Sequence, residues 1–152
     1  MNFRRVLAVV LLAGALVGCG ADRGPRNIGE RVELGDLRFQ VTKVVVGGND
    51  DGPWFQVWMR MKNTSDHSVG IPAATVVCAG SDVGGSLAPI PDRHYAIKPG
   101  ARIFVGSSAA GVMRLLAPRR PCATPAVVKV TGGEETLTFR IPNSVVEGLN
   151  SY

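Results

Sequence analysis

The chain, 152 residues long, is short of the residue types that catalysis, nucleic-acid binding and membrane spanning draw on. It has two histidines, His67 and His94, so an imidazole-based reaction centre has little to be built from. Aromatic residues make up 6% of it, and no Lys/Arg run is longer than Arg119-Arg120. Nucleic-acid binding needs a basic stripe interleaved with stacking aromatics, so that class is excluded. The longest apolar run, Val6 to Val17, covers 12 residues, short of the roughly 20 that cross a bilayer. An apolar period of 3.6 residues never lasts beyond two turns, which excludes a helical bundle.

What is present begins at the N-terminus. Arg4 and Arg5 precede the apolar run, and Leu16-Val17-Gly18-Cys19 closes it: a positive segment, a short apolar segment and small residues before a cut. The last four residues resemble the lipobox of bacterial lipoproteins. That resemblance implies that residues 1–18 are a signal peptide and that the Cys19 thiol receives a diacylglycerol. The protein is then held by lipid on the extracytoplasmic face of the cell membrane, and two acyl chains suffice for stable attachment. Removing residues 1–18 leaves 134, enough for one domain and hardly for two. Taking Arg4 and Arg5 from the formal +5 leaves about +3, an excess that serves solubility and weak attraction to anionic envelope polymers. Residues 19–29 are read as the lipidated cysteine and a short Gly/Pro/charge-rich tether, which keeps the domain close to the lipid surface.

With Cys19 used by lipid, Cys78 and Cys122 remain, in an oxidising compartment. The expected outcome is a Cys78–Cys122 disulfide. The alternatives are two buried thiols or a metal pair, although two cysteines alone make a poor zinc site.

From residue 30 to 142 the pattern is one of short strands. Leu37, Phe39 and Val41 alternate with Arg38, Gln40 and Thr42, and Val44-Val45-Val46 extends the segment. Gly47 to Pro53 is a dense turn signal. Beyond it Phe55, Val57, Met59 and Met61 alternate with Gln56, Trp58, Arg60 and Lys62, which predicts a β-hairpin. Further strands are expected at 69–71, 75–79, 95–97, 103–105, 111–115, 126–131 and 135–141, with residues 143–152 as a C-terminal tail carrying at best a frayed helix. The strand count and the spacing of the turns predict an all-β, two-sheet antiparallel sandwich.

The strand Phe55–Lys62 running into Asn63-Thr64-Ser65-Asp66, with Lys98-Pro99-Gly100 before a later strand, is similar to immunoglobulin-like domains of exported bacterial proteins. It resembles the domains of unknown function found in Gram-positive lipoproteins, over residues 30–142. The resemblance implies an immunoglobulin-like fold and assigns no catalytic residue.

Candidate chemistry is sparse. A Ser-His-Asp site would use Ser86 or another serine with His67 or His94, but Gly84-Gly85-Ser86-Leu87-Ala88 lacks the last glycine and the helix of a nucleophile elbow. Asp66 and His67, if on a strand, would point to opposite faces. Asp50-Asp51 and Glu134-Glu135 sit in turns, where Asn, Asp and Gly are favoured for positive φ. Met59, Met61 and His67 could hold copper, but both methionines share the stripe of Phe55 and Val57, a core stripe first. Trp54 and Trp58 lie on the opposite face with Arg60. Either they point outward as contact residues, or a loop around 80–94 covers them; an exposed Trp beside Arg is a common recognition anchor. The expectation is therefore a non-enzymatic envelope lipoprotein without cofactor or metal, acting as an interaction or accessory module. Its partner would be another envelope protein or a wall polymer, with Trp54, Trp58 and Arg60 as candidate contacts. A small-ligand or metal carrier of the envelope is the alternative.

Overall fold

In the computed structural model the described residues are 24–81, 97, 100–118 and 120–152. They form an antiparallel β-sandwich. Its strands are β1 (Arg31–Leu34), β2 (Leu37–Asn49), β3 (Gly52–Asn63), β4 (Val69–Gly70), β5 (Ala73–Val77), β6 (Arg102–Ile103), β7 (Ser108–Leu115), β8 (Ala126–Gly132) and β9 (Glu135–Ile141), and one helix follows, α1 (Asn143–Asn150). One sheet has the order β1-β2-β3-β7, the other β5-β8-β9, and β4 with β6 makes a small ribbon.

The long β2–β3 hairpin turns where the sequence places it: Asn49 pairs with Gly52, and Asn49 Oδ1 accepts from the Asp51 amide at 3.0 Å. Gly52 takes φ +120°, which a side chain would resist. Midway down β2 a bulge lies between Val41 and Lys43. It resolves a conflict of phase, because Leu37, Phe39 and Val41 face inward and so does Val44. One extra residue restores the inward side without reversing every position beyond it. The Thr42 hydroxyl donates to the Trp58 carbonyl at 3.2 Å beside the bulge.

Between the sheets, Val41, Phe55, Val57, Met59, Met113 and Leu115 meet Val76, Val128, Val130, Phe139 and Ile141, all essentially solvent-free. Phe39 and Phe139 join the two layers through rings 5.9 Å apart and tilted by 52°. Met59 and Met61 belong to this core.

Cys78 and Cys122 are bonded, with Cα atoms 5.3 Å apart. The bridge extends the pairing of β5 with β8, whose last partners are Val77 and Val127. It therefore staples neighbouring strands of one sheet and closes the excursion that carries β6 and β7 away and back.

Two local differences from the sequence reading stand out. Residues 143–152, read as a tail, are helical over Asn143–Asn150, and Val146 and Leu149 are fully buried in the core. The helix caps the part of the hairpin that overhangs the second sheet: Val46 lies beneath Gly148 and Tyr152 lies against Gly48. The Asn150 side chain clamps its end by accepting from the Cys122 amide and donating to the Cys122 carbonyl, both at 2.8 Å. The second difference is at 103–105, where the strand ends at Ile103. Phe104 and Val105 enter a turn completed by Gly106 at φ +68°, and both side chains are exposed. The expected strand at 95–97 lies, apart from Ile97, outside the described residues. Ile97 itself is buried, and its amide donates to the Val112 carbonyl at the edge of β7.

Candidate functional site

The outward face of the four-stranded sheet carries the side chains that the core does not use. The register aligns them in rows. Arg31, Gln40, Arg60 and Ala110 lie side by side across β1, β2, β3 and β7, and the next row is Glu33, Arg38, Lys62 and Ser108. In the other direction Lys43 lies beside Trp58 and Val112, then Val45 beside Gln56 and Arg114, and Gly47 beside Trp54. The face thus grades from apolar and aromatic near the hairpin turn to cationic at the far end.

At the aromatic end Trp54 is 6% exposed and Trp58 is half-buried. The Arg114 guanidinium stacks on the Trp54 ring, 4.1 Å from its centroid. Burial lowers the Arg114 pKa from the ordinary arginine value, and the group stays a cation. Gly47 makes the arrangement possible, since a Cβ there would lie 2.7 Å from Trp54 Nε1 and 2.5 Å from Gln56 Nε2. Trp54 Nε1 is buried without a hydrogen-bond partner among the described residues. With so little surface to offer, Trp54 is not available as a contact anchor in this arrangement. The loop around 80–94 invoked as a cover lies almost wholly outside the described residues.

At the cationic end Arg60 is exposed, and it stands over a groove of about 320 Å³. Arg31, Arg38 and Lys62 share its rim, while Ser108 and Ala110 on β7 leave it shallow. Arg38 is paired with Glu33 at 3.3 Å. The side chains of Arg31, Arg60 and Lys62 make no ion pair or hydrogen bond among the described residues. Sequence reasoning missed Arg31, Arg38 and Lys62. The alternation in β3 puts Lys62 on the Arg60 face, but the partners on β1 and β2 depend on the bulge. Counting back from the turn without it sets Arg60 opposite the inward-facing Val41; with it, the partner is Gln40.

A second concentration of polar groups lies at the sandwich end formed by the turns after β1, β3 and β8, around a depression of about 610 Å³. His67 lies between two carboxylates, with Nε2 3.2 Å from Asp36 Oδ2 and Nδ1 3.1 Å from Asp66 Oδ1. On a strand Asp66 and His67 would point to opposite faces; in the loop that follows β3 they meet. The hydrogen bond with His67, then a backbone hydrogen bond and the imidazole charge, hold the Asp66 carboxyl below its ordinary 3.8. The Ser65 hydroxyl is turned to Asn63 Oδ1 and the His67 carbonyl, at 2.8 and 2.9 Å, and does not reach the ring. Asn63 organises this loop from a buried position: its Nδ2 donates to the His67 and Ile103 carbonyls, and its Oδ1 accepts from the Ser65 amide. Arg102 donates to the hydroxyl and carbonyl of Ser68. These groups satisfy one another and read as loop architecture. Met59 and Met61, buried between the sheets, are separated from exposed His67. Among the described residues no three His, Cys, Asp or Glu side chains gather as metal ligands. Cys19, Ser86 and His94 lie outside the described residues.

No family model and no curated protein matches the chain. Two solved structures from Bacillus subtilis share its architecture. The yjhA protein superposes with a TM-score of 0.58 at 13% identity, over 77% of this chain and 99% of its own. The "putative lipoprotein" ycdA gives a TM-score of 0.58 at 14% identity, over 77% of this chain, which spans 40% of ycdA. At such identities the likeness is one of fold.

Proposed function

We propose that this protein is a lipid-anchored, non-enzymatic interaction module of the cell envelope, and that its contact surface is the outward face of the four-stranded sheet. The observation that carries the contact surface is the unequal satisfaction of its charges. At the loop end His67, Asp36, Asp66, Arg102 and Ser68 are engaged with one another. On the sheet face Arg31, Arg60 and Lys62 stand around an open groove with no partner among the described residues. Cations left free on a rigid sheet are available to a partner at no cost in broken pairs.

The anchor rests on Leu16-Val17-Gly18-Cys19 following Arg4, Arg5 and an apolar run, and the description of ycdA as a "putative lipoprotein" is in keeping with it. We place the domain with the immunoglobulin-like sandwiches of exported Gram-positive lipoproteins on the same grounds, together with its Asn63-Thr64-Ser65-Asp66 turn. Fractionation of cells expressing the wild type and Cys19→Ala tests the anchor. The wild type is expected in the membrane pellet and the variant in the soluble extracytoplasmic pool. Unchanged membrane retention of Cys19→Ala refutes the anchor.

A further inference from the structure

We infer that the groove at the cationic end of the sheet binds an anionic polymer of the phosphodiester type. The inference rests on the reading of this face as the contact surface and adds to it the chemistry of the partner.

The first ground is the placement of charge. Arg31, Arg38, Arg60 and Lys62 come from three adjacent strands and converge on one groove, and Glu33 is the acidic residue set among them. After the Arg38–Glu33 pair at 3.3 Å is set aside, three positive charges remain. The second ground is spacing. Neighbouring strands lie about 4.8 Å apart and alternate residues along a strand about 6.8 Å apart. Arg31 and Arg60, separated by β2, are thus about 10 Å apart at the backbone, and Arg60 and Lys62 about 7 Å. A single small anion meets one or two of these groups, whereas a chain of regularly spaced anions meets all three.

The third ground is the shape of the floor. Ser108 and Ala110 stand beside Lys62 and Arg60 on β7, so the groove stays open on that side of the cations, where longer side chains would fill it. Gln40, on the row between Arg31 and Arg60, lines the same groove as a neutral residue, its amide nitrogen donating to the Gly29 carbonyl. Phosphate suits this set better than carboxylate because its oxygens diverge. One phosphodiester can reach two separate cations, such as Arg60 and Lys62 two residues apart on β3, while a planar carboxylate is matched to a single guanidinium fork. Nucleic acid is disfavoured among phosphodiesters. Trp54 is buried beneath Arg114, and Trp58 is half-buried a row away, so among the described residues the groove has no exposed ring on which bases could stack.

The test uses the full chain in detergent, with poly(glycerol phosphate) as probe and polygalacturonate as the carboxylate control, both read by calorimetry across a salt series. The expected result is binding to poly(glycerol phosphate) with a log–log salt slope of about −2, as three engaged phosphates imply. Arg60→Ala/Lys62→Ala is expected to weaken it by about a hundredfold, roughly tenfold for each cation, and to flatten the slope. Arg60→Lys/Lys62→Arg, which keeps both charges, is expected to retain binding; Ala110→Glu, which sets a carboxylate in the trough, is expected to abolish it. A matching circular-dichroism spectrum for each variant ties any loss to the groove. Absence of binding at low salt, equal binding of polygalacturonate, or unchanged affinity of the double Ala variant overturns the inference. So does binding of full-length Cys19→Ala to phosphatidylglycerol vesicles but not to the polymer. If the polymer fails while a photo-crosslinker at Lys62 captures a protein in cells, the ligand class is wrong and the contact face stands; if both fail, the contact face is wrong too.

Discussion

Removing the disulfide tests how the two sheets are held in one body. Cys78 and Cys122 are separated by 44 positions and both are buried, and the segment between them carries β6 and β7. β7 is the edge partner of β3, so the chain leaves the three-stranded sheet, completes the four-stranded one and returns. In the unfolded state the bridge restricts that excursion. For a loop of about 45 residues the lost chain entropy corresponds to about 4 kcal/mol at 25 °C. A body of about 130 residues unfolds with an entropy near 0.27 kcal/mol/K, so Cys78→Ala/Cys122→Ala is expected to melt about 15 °C lower than the wild type. Alanine is the better replacement because serine would bury two hydroxyls where the sulfurs sat. Urea unfolding of wild type, reduced wild type and the double variant, followed by tryptophan emission, measures the loss. The reduced protein and the variant should agree to about 1 kcal/mol. A loss below about 1 kcal/mol would refute the reasoning, because it would mean that the excursion is confined without the bridge.

Three further outcomes follow from particular contacts. Asn63→Ala removes a buried amide that serves the His67 and Ile103 carbonyls and the Ser65 amide, and should cost about 3 kcal/mol in urea unfolding; a cost below 1 kcal/mol would show the loop to be self-supporting. Gly47→Val places carbon where Trp54 Nε1 and Gln56 Nε2 already sit, so in a Trp58→Phe background the emission of Trp54 should shift to longer wavelength, and an unmoved spectrum would contradict its packing against Gly47. The Asp66 carboxyl, held down by His67, should titrate below 3.8 in an NMR pH series and move back up in His67→Ala. Because the folded-state pKa is the lower one, the stabilisation from this contact is present above the ordinary aspartate range and is lost as pH falls through the folded value; an unshifted Asp66 in the wild type would refute the contact.

Where side chains alternate strictly, the fold was legible in the sequence. Phe55 to Lys62 and Leu137 to Ile141 announce half-buried strands, Asn49 to Gly52 announces the hairpin turn, and Met59 and Met61 declare themselves core by sharing the phase of Phe55. Elsewhere the signal was too short or too even. β1 has only Val32 and Leu34 to mark its inner side, and β7 begins with Ser108-Ala109-Ala110, small residues that carry little hydrophobic contrast. Val44-Val45-Val46 is apolar throughout, so the bulge that resets the phase of β2 leaves no trace there. Helix α1 is eight residues long with an apolar stripe of Val145, Val146 and Leu149, recognisable once the overhanging hairpin gives it something to cover. The cationic groove was the least legible part. Its members are dispersed from Arg31 to Lys62, and only cross-strand register brings them together. Trp54 and Trp58 drew attention because they lie with Arg60 on the face opposite the core stripe, yet Arg114 and Gly47 make Trp54 part of the packing.

The contact face is tested most directly by site-specific photo-crosslinking in living cells. A photoreactive amino acid is placed at Lys62 in the groove and, as control, at Lys129, exposed on β8 of the opposite sheet. Adducts are expected from Lys62 and not from Lys129. Adducts from Lys129 alone, or equally from both, would contradict the assignment of this face.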